Sequence, residues 1–183
     1  MSIQLVFSNT SVQATSLFCE SLDIRYDVSH SRSEKVTTVQ KWDSSIKKHI
    51  VVGEFKTPVF AKDELRVKGE TEWHPLNEIL YREGRRFFNT TRTFEGTSGV
   101  KYKWRVHDGS LELRLASDSA NDQGVPLVIH RKSQKGQAPS LEIIDPSVLY
   151  SLDMIVVTFL VMEKWRRIRV RRRRAALIAA VVA

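Results

Sequence analysis

The sequence predicts a mainly β fold: an antiparallel β-barrel wrapped around one hydrophobic C-terminal helix. Three observations lead there. From about Leu22 to Asp145 the chain runs in short alternating apolar and polar segments separated by turn residues, the pattern of antiparallel strands with one buried face. After Asp145 comes an apolar run with no polar side, "MIVVTFLVM", and a helix that is apolar all round is buried all round. A helix with no solvent face, following a long series of strands, is accommodated by a sheet that curls about it.

Residues 1–21 read as an N-terminal extension, and residues 22–169 as a single domain. Its expected strands are Ile24–Val28, Val36–Trp42, His49–Phe55, Glu64–Lys68, Arg92–Phe94, Leu127–Arg131 and Leu141–Ile144, with one helical turn within Trp73–Arg82. The strongest local signal is "VKYKWRVHDGSLELRLA". Asp108-Gly109 between alternating runs specifies a two-residue hairpin turn, because a type I′ turn needs positive φ at both central positions. That turn sets the register: Val106 faces Leu111, Trp104 faces Leu113 and Tyr102 faces Leu115, with Arg105 opposite Glu112 on the other side.

The central helix is expected at about 147–165. Asp145-Pro146-Ser147 supplies a cap oxygen and a proline at the first turn. Ile155, Val156, Phe159 and Leu160 are its expected core residues. Counted back across Asp153 to Val148, the apolar stretch spans roughly 22 Å at 1.5 Å per residue, short of the ~30 Å of a bilayer core and interrupted by a charge. Residues 170–183 form a tail, arginine-rich and then apolar.

The formal charge of +8 belongs to one place. Lys164, Arg166, Arg167, Arg169 and Arg171 to Arg174 are eight cations without an acid among them; setting them aside leaves 21 basic against 21 acidic residues. A balanced body with a basic appendage argues against a globally basic nucleic-acid-binding domain. Cys19 is the one cysteine, which excludes an internal disulfide. The N-terminal "MSIQLVFSNTSVQ" lacks the basic and long apolar regions of a secretory signal, so an intracellular location, cytoplasmic or at a membrane surface, is expected, with the nucleus as the alternative.

No catalytic constellation emerges. The five histidines are scattered, none at ligand spacing from another or from Cys19, and phosphate-loop and nucleophile-elbow motifs are absent. No cofactor or metal is expected, and the chain reads as a binding domain rather than an enzyme. Asp153, heading an apolar helix, reads as a structural acceptor. The basic cluster of the body comprises Arg82, Arg85, Arg86, Arg92, Lys101 and Lys103; of these, Arg82, Arg85, Arg86, Lys101 and Lys103, with Arg105 on the same outer face as the two lysines, are the candidate contact for an anionic ligand.

"SLEIIDPSVLYSLDMIVVTFLVMEKWRR", with "GRRFFNTTRTFEGTSGVKYKWR" and "LELRL", resembles a fungal, mainly basidiomycete, domain-of-unknown-function family, number 6593, from about Tyr26 to Arg167. The arrangement is also similar in architecture to tubby-like C-terminal domains and phospholipid scramblases, which implies a barrel around a central helix. The first family implies no activity.

The leading functional reading is a domain that binds an anionic membrane surface or a protein partner. It rests on Arg166, Arg167, Arg169, Arg171, Arg172, Arg173 and Arg174, followed by Leu177 and Ile178 in "AALIAAVVA": cations attract anionic lipid and a short apolar segment enters the interface. The alternative is a nuclear or nucleic-acid-associated protein using the same arginines. A lipid-directed enzyme or scramblase-like activity, by fold analogy alone, comes third.

Overall fold

The computed structural model describes residues 3–58, 61–82, 90–117, 124–134 and 136–182. The strands are β1 (Ile3–Phe7), β2 (Thr15–Cys19), β3 (Ile24–Ser31), β4 (Val36–Asp43), β5 (Lys48–Lys56), β6 (Glu64–Val67), β7 (His74–Pro75), β8 (Arg92–Glu95), β9 (Lys101–His107), β10 (Ser110–Leu115), β11 (Val128–Arg131) and β12 (Ser140–Ile143). The helices are α1 (Leu76–Ile79) and α2 (Leu152–Val182), the latter led in by a 3-10 turn over Pro146–Ser151. All twelve strands form one antiparallel sheet in the order β7-β6-β5-β4-β3-β2-β1-β12-β11-β10-β9-β8.

Residues 1–21 are not an appendage. β1 lies in the middle of the sheet between β2 and β12, and Leu5, Phe7, Leu17 and Cys19 are buried. Because β12 pairs with β1, the first and last strands of the chain are joined and the two halves of the sheet become continuous. The β1–β2 connection is closed by side chains: Asn9 Nδ2 donates to the Ala14 carbonyl at 2.8 Å and Asn9 Oδ1 accepts from the Ser11 amide at 2.7 Å.

The hairpin β9–β10 has the expected register throughout, with Trp104 opposite Leu113, Tyr102 opposite Leu115 and Arg105 opposite Glu112. Asp108 and Gly109 carry φ of 48° and 70°, as the turn requires.

α2 runs through the concave side of the sheet. Ile155, Val156, Phe159 and Leu160 are fully buried, and the neighbours of Phe159 come from three strands: Phe7 at 5.8 Å, Trp104 at 5.7 Å and His130 at 4.9 Å between ring centroids. Thr158, the one polar residue of the apolar run, accepts the Trp104 indole N–H at 2.9 Å and donates to the Met154 carbonyl at 2.7 Å, so the buried indole is satisfied without interrupting the core. Gly53 in β5 lets the helix approach: a Cβ there would come within 2.7 Å of a Val157 methyl. Asp145 caps the leading turn by accepting the Ser147 amide at 2.9 Å.

Two further expectations need correction. The sheet curls around α2 but does not close into a barrel: the end strands β7 and β8 are not paired with each other. The seam is occupied by α1 and by Tyr81, which exchanges two backbone hydrogen bonds with Thr93 of β8 at 2.9 and 3.0 Å. α2 also continues to Val182, where an end near residue 165 was expected. With its lead-in it is long and apolar enough to cross a membrane, but 67% of its most apolar window is buried, and that part serves as core.

Candidate functional site

Two clefts open at opposite ends of the buried part of α2. The first, about 480 Å³, lies at the helix start and is lined by Lys41, Lys68, Glu95 and Asp153 among others. Asp153 Oδ1 accepts the Tyr26 hydroxyl at 2.5 Å and the Lys41 ammonium at 3.1 Å. Burial, and then the charge of Asp153, hold the Tyr26 phenol far above its ordinary pKa, so Tyr26 remains a donor. Lys41 and Asp153 pair with each other, and Asp153 ties β3 and β4 to the first turn of α2.

The second cleft, about 690 Å³, lies at the seam where α1 stands between the sheet's ends. Its walls are Leu76, Leu80 and Tyr81; its polar groups are Lys62, Asp63, Asn77, Arg82, Arg92 and the Trp165 indole. Arg92 lies opposite Trp104 in the β8–β9 pair, so it shares the inner face with Phe94 and Tyr102. It is 8% exposed. Its guanidinium lies 5.5 Å from the Trp165 ring centre and donates to the Thr91 carbonyl at 2.9 Å. Trp165 in turn donates to Asp63 Oδ2 at 2.8 Å.

The charge balance here is uneven. Burial, with the positive charges of Arg82 and Arg169 adding to it, pushes Arg92 down to about 10. Arg169 is lowered by burial and by Arg173 and Arg82. Asp63 is raised because burial outweighs the Trp165 hydrogen bond and the charge of Lys164.

Just beside this cleft α2 leaves the sheet. Three loops hold it at the exit: Trp165 on Asp63, Arg166 on the Gly109 carbonyl at 3.2 Å, and Arg167 on the Thr10 carbonyl at 2.6 Å. Glu163, with no exposed surface, accepts from Arg166 at 2.6 Å and Arg167 at 2.8 Å; burial works to raise its pKa, but the two arginines hold it below the usual carboxylate range. Arg166 and Arg167 are therefore fixed to the domain. From Val170 to Ala180 the helix is exposed, Arg171, Arg172, Arg173 and Arg174 included, and Leu177 and Ile178 are 68% and 67% exposed.

The remaining sequence-predicted contacts do not gather into one patch. Lys101 is exposed and Lys103 half-buried on β9, whereas Arg105 is held by Glu112 at 3.1 Å. Glu112 also takes Arg114 at 3.3 Å and His107 at 3.1 Å. Arg82 instead sits at the seam with Arg92 and Arg169, which joins part of the body cluster to part of the tail. Arg85 and Arg86 lie outside the described residues. Lys62, Asp63 and Trp165 carried no sequence signal as site residues. Arg92 did carry one: two positions before the apolar Phe94 in a strand, it shares that residue's face. Among the described residues no group of three or more His, Cys, Asp or Glu side chains is placed to hold a metal ion.

No curated protein and no solved structure matches the chain. The model of the Family of unknown function (DUF6593) matches residues 10–168. That span takes in β2 to β12, the buried part of α2 and the seam cleft as far as Trp165, and the chain belongs to this family.

Proposed function

We propose that the protein binds the surface of an anionic membrane, and that α2 beyond Val170 is the element that meets the lipid. One observation carries the reading: α2 passes from buried on every side to exposed on every side, and its exposed part begins with four arginines and continues with exposed Leu177 and Ile178. Arginines at headgroup level contribute up to ~1 kcal/mol each with anionic lipid. Residues 175–182 extend about 12 Å at 1.5 Å per residue, less than half of the ~30 Å hydrocarbon core, so these residues reach into one leaflet. Lys164 and Arg169 of α2, and Lys62 of the loop that carries Asp63, lie at the same end of the molecule. Exposed aliphatic side chains favour lipid over nucleic acid, whose binding by counterion release makes no use of them.

Co-sedimentation of the full chain with vesicles tests this. Binding should require anionic lipid, weaken with salt, and keep a salt-resistant part that Leu177→Ser with Ile178→Ser removes. Equal binding by the double variant at high salt, or binding to RNA but not to anionic vesicles, would refute it.

A further inference from the structure

Arg92 presents an unusual situation for a buried charge. A desolvated cation is ordinarily matched by an acid, since burying it alone is strongly unfavourable. Among the described residues no carboxylate lies within ion-pair distance of Arg92; its hydrogen bond goes to the neutral Thr91 carbonyl, and Trp165 offers a ring face. Asp63, the one acid among the described lining residues, is engaged by the Trp165 indole. The nearby charges are of like sign, from Arg82 and Arg169, with Lys62 in the cleft wall. A guanidinium has five N–H donors in a planar fork, and Arg92 uses one side of it.

We propose that the seam cleft binds a phosphomonoester, its phosphate held by Arg92 and Arg82 with Arg169 at the rim. Several features select this chemistry. A phosphate monoester carries a charge of about −1.5 to −2 and three strong acceptor oxygens, enough to engage more than one guanidinium fork, whereas a carboxylate offers two oxygens and one charge. The 690 Å³ cleft exceeds what a bare phosphate fills and lies in the range of small-molecule sites. Leu76, Leu80, Tyr81 and the Trp165 ring give the esterified group an apolar wall. A bound dianion offsets the mutual repulsion of these cations. The site stands apart from the exposed end of α2 and binds its ligand whether or not that end meets lipid.

Glycerol phosphate is the soluble probe. At constant ionic strength set with sodium chloride, it should raise the melting temperature of the full chain, since a ligand bound only by the folded state stabilises it. Arg92→Gln should weaken its binding roughly tenfold or more, the range expected for loss of a charged hydrogen-bond pair. The same variant should melt no lower than the parent without ligand, because it deletes a buried charge that has no acid partner; a purely structural arginine would give a fall. Arg82→Gln, at the exposed rim, should weaken binding by a smaller factor and covers the case in which Arg92→Gln does not fold. Leu177→Ser with Ile178→Ser should leave this binding intact, which separates the site from the helix end. Vesicles with phosphatidic acid or phosphatidylserine, at matched surface charge, distinguish the source. A preference for phosphatidic acid lost in Arg92→Gln assigns a lipid headgroup, and glycerol phosphate binding without that preference assigns a soluble ester. If glycerol phosphate shifts the parent no more than chloride does, or if both arginine variants keep the parent's affinity, the site is refuted.

Discussion

At the scale of single residues, alternation along β9 makes the sharpest demand. Trp104 is fully buried against Phe159 with its indole N–H on Thr158, while Lys103 faces the other way. Trp104→Ala should therefore lower stability by about 3–5 kcal/mol and Lys103→Ala by well under 1 kcal/mol, read from denaturant melts. His130 gives a pH signature. Burial pushes its imidazole down to about 4; Glu163 pulls upward, and Arg166, Arg167 and Lys132 reinforce the burial. Above the ordinary value of ~6.5 the ring is neutral in both states. Below it the unfolded chain takes up a proton and the folded chain does not, so stability falls as pH drops from about 6.5 toward about 4, by up to roughly 3 kcal/mol. Glu163 and Glu112, whose pKa values are lowered, lose their contributions only below the ordinary carboxylate range. Urea melts at about pH 7.5 and about pH 5 should show a smaller loss for His130→Gln than for the parent; equal losses would remove His130 from this role.

At the scale of elements, α2 sets the terms. Val156→Lys should prevent folding or leave the protein insoluble, because a central helix gives the charge no exit and the cost is comparable with a domain's whole stability; a soluble variant that melts cooperatively would contradict the enclosed helix. Gly53→Ala should destabilise by about 1–3 kcal/mol by pressing a methyl against Val157, measurable in the same melts. The elements also show what was legible in the sequence. The β9–β10 hairpin was, because Asp108-Gly109 and the alternation around it are local and agree. The start of the helical segment was, because Asp145, Pro146 and Ser147 are a local cap, here of the 3-10 turn that leads into α2. β1 and β2 were not: five residues each, without Gly or Pro between them, they become strands through pairing with β12 and β3, remote or later in the chain. Their connection did carry a signal, since Asn9 and Ser11 are turn-forming residues that hydrogen-bond to nearby backbone. The open seam was invisible for a similar reason. Alternation gives each strand's faces but not what its outermost edges meet, and here the edges meet α1 and Tyr81.

At the scale of the whole molecule, the helix divides the protein into a core that needs its first half and an exit end that gathers positive charge. The seam cleft illustrates how the two separate basic stretches of sequence converge: Arg82 precedes β8, Arg92 begins it, and Arg169 comes from the exit of α2, brought together because α2 emerges beside the open seam of the sheet. Charge counting located the tail cations, yet Arg166 and Arg167 belong to the domain through Glu163. Removing the chain from Arg171 onward should leave the melting temperature nearly unchanged, because Arg171 to Ala180 are exposed; a large drop would mean that the removed segment supports the core. The central claim, that the exposed half of α2 enters a lipid surface, is tested most directly by an environment-sensitive fluorophore at Ile178→Cys, with Cys19 buried and a label at Val51→Cys on the exposed side of β5 as reference. With anionic vesicles the label at 178 should shift to shorter wavelength and be quenched by nitroxide-bearing lipids, while that at 51 is unchanged. Emission at 178 that stays that of an aqueous dye, with vesicles at saturating concentration, would contradict the claim.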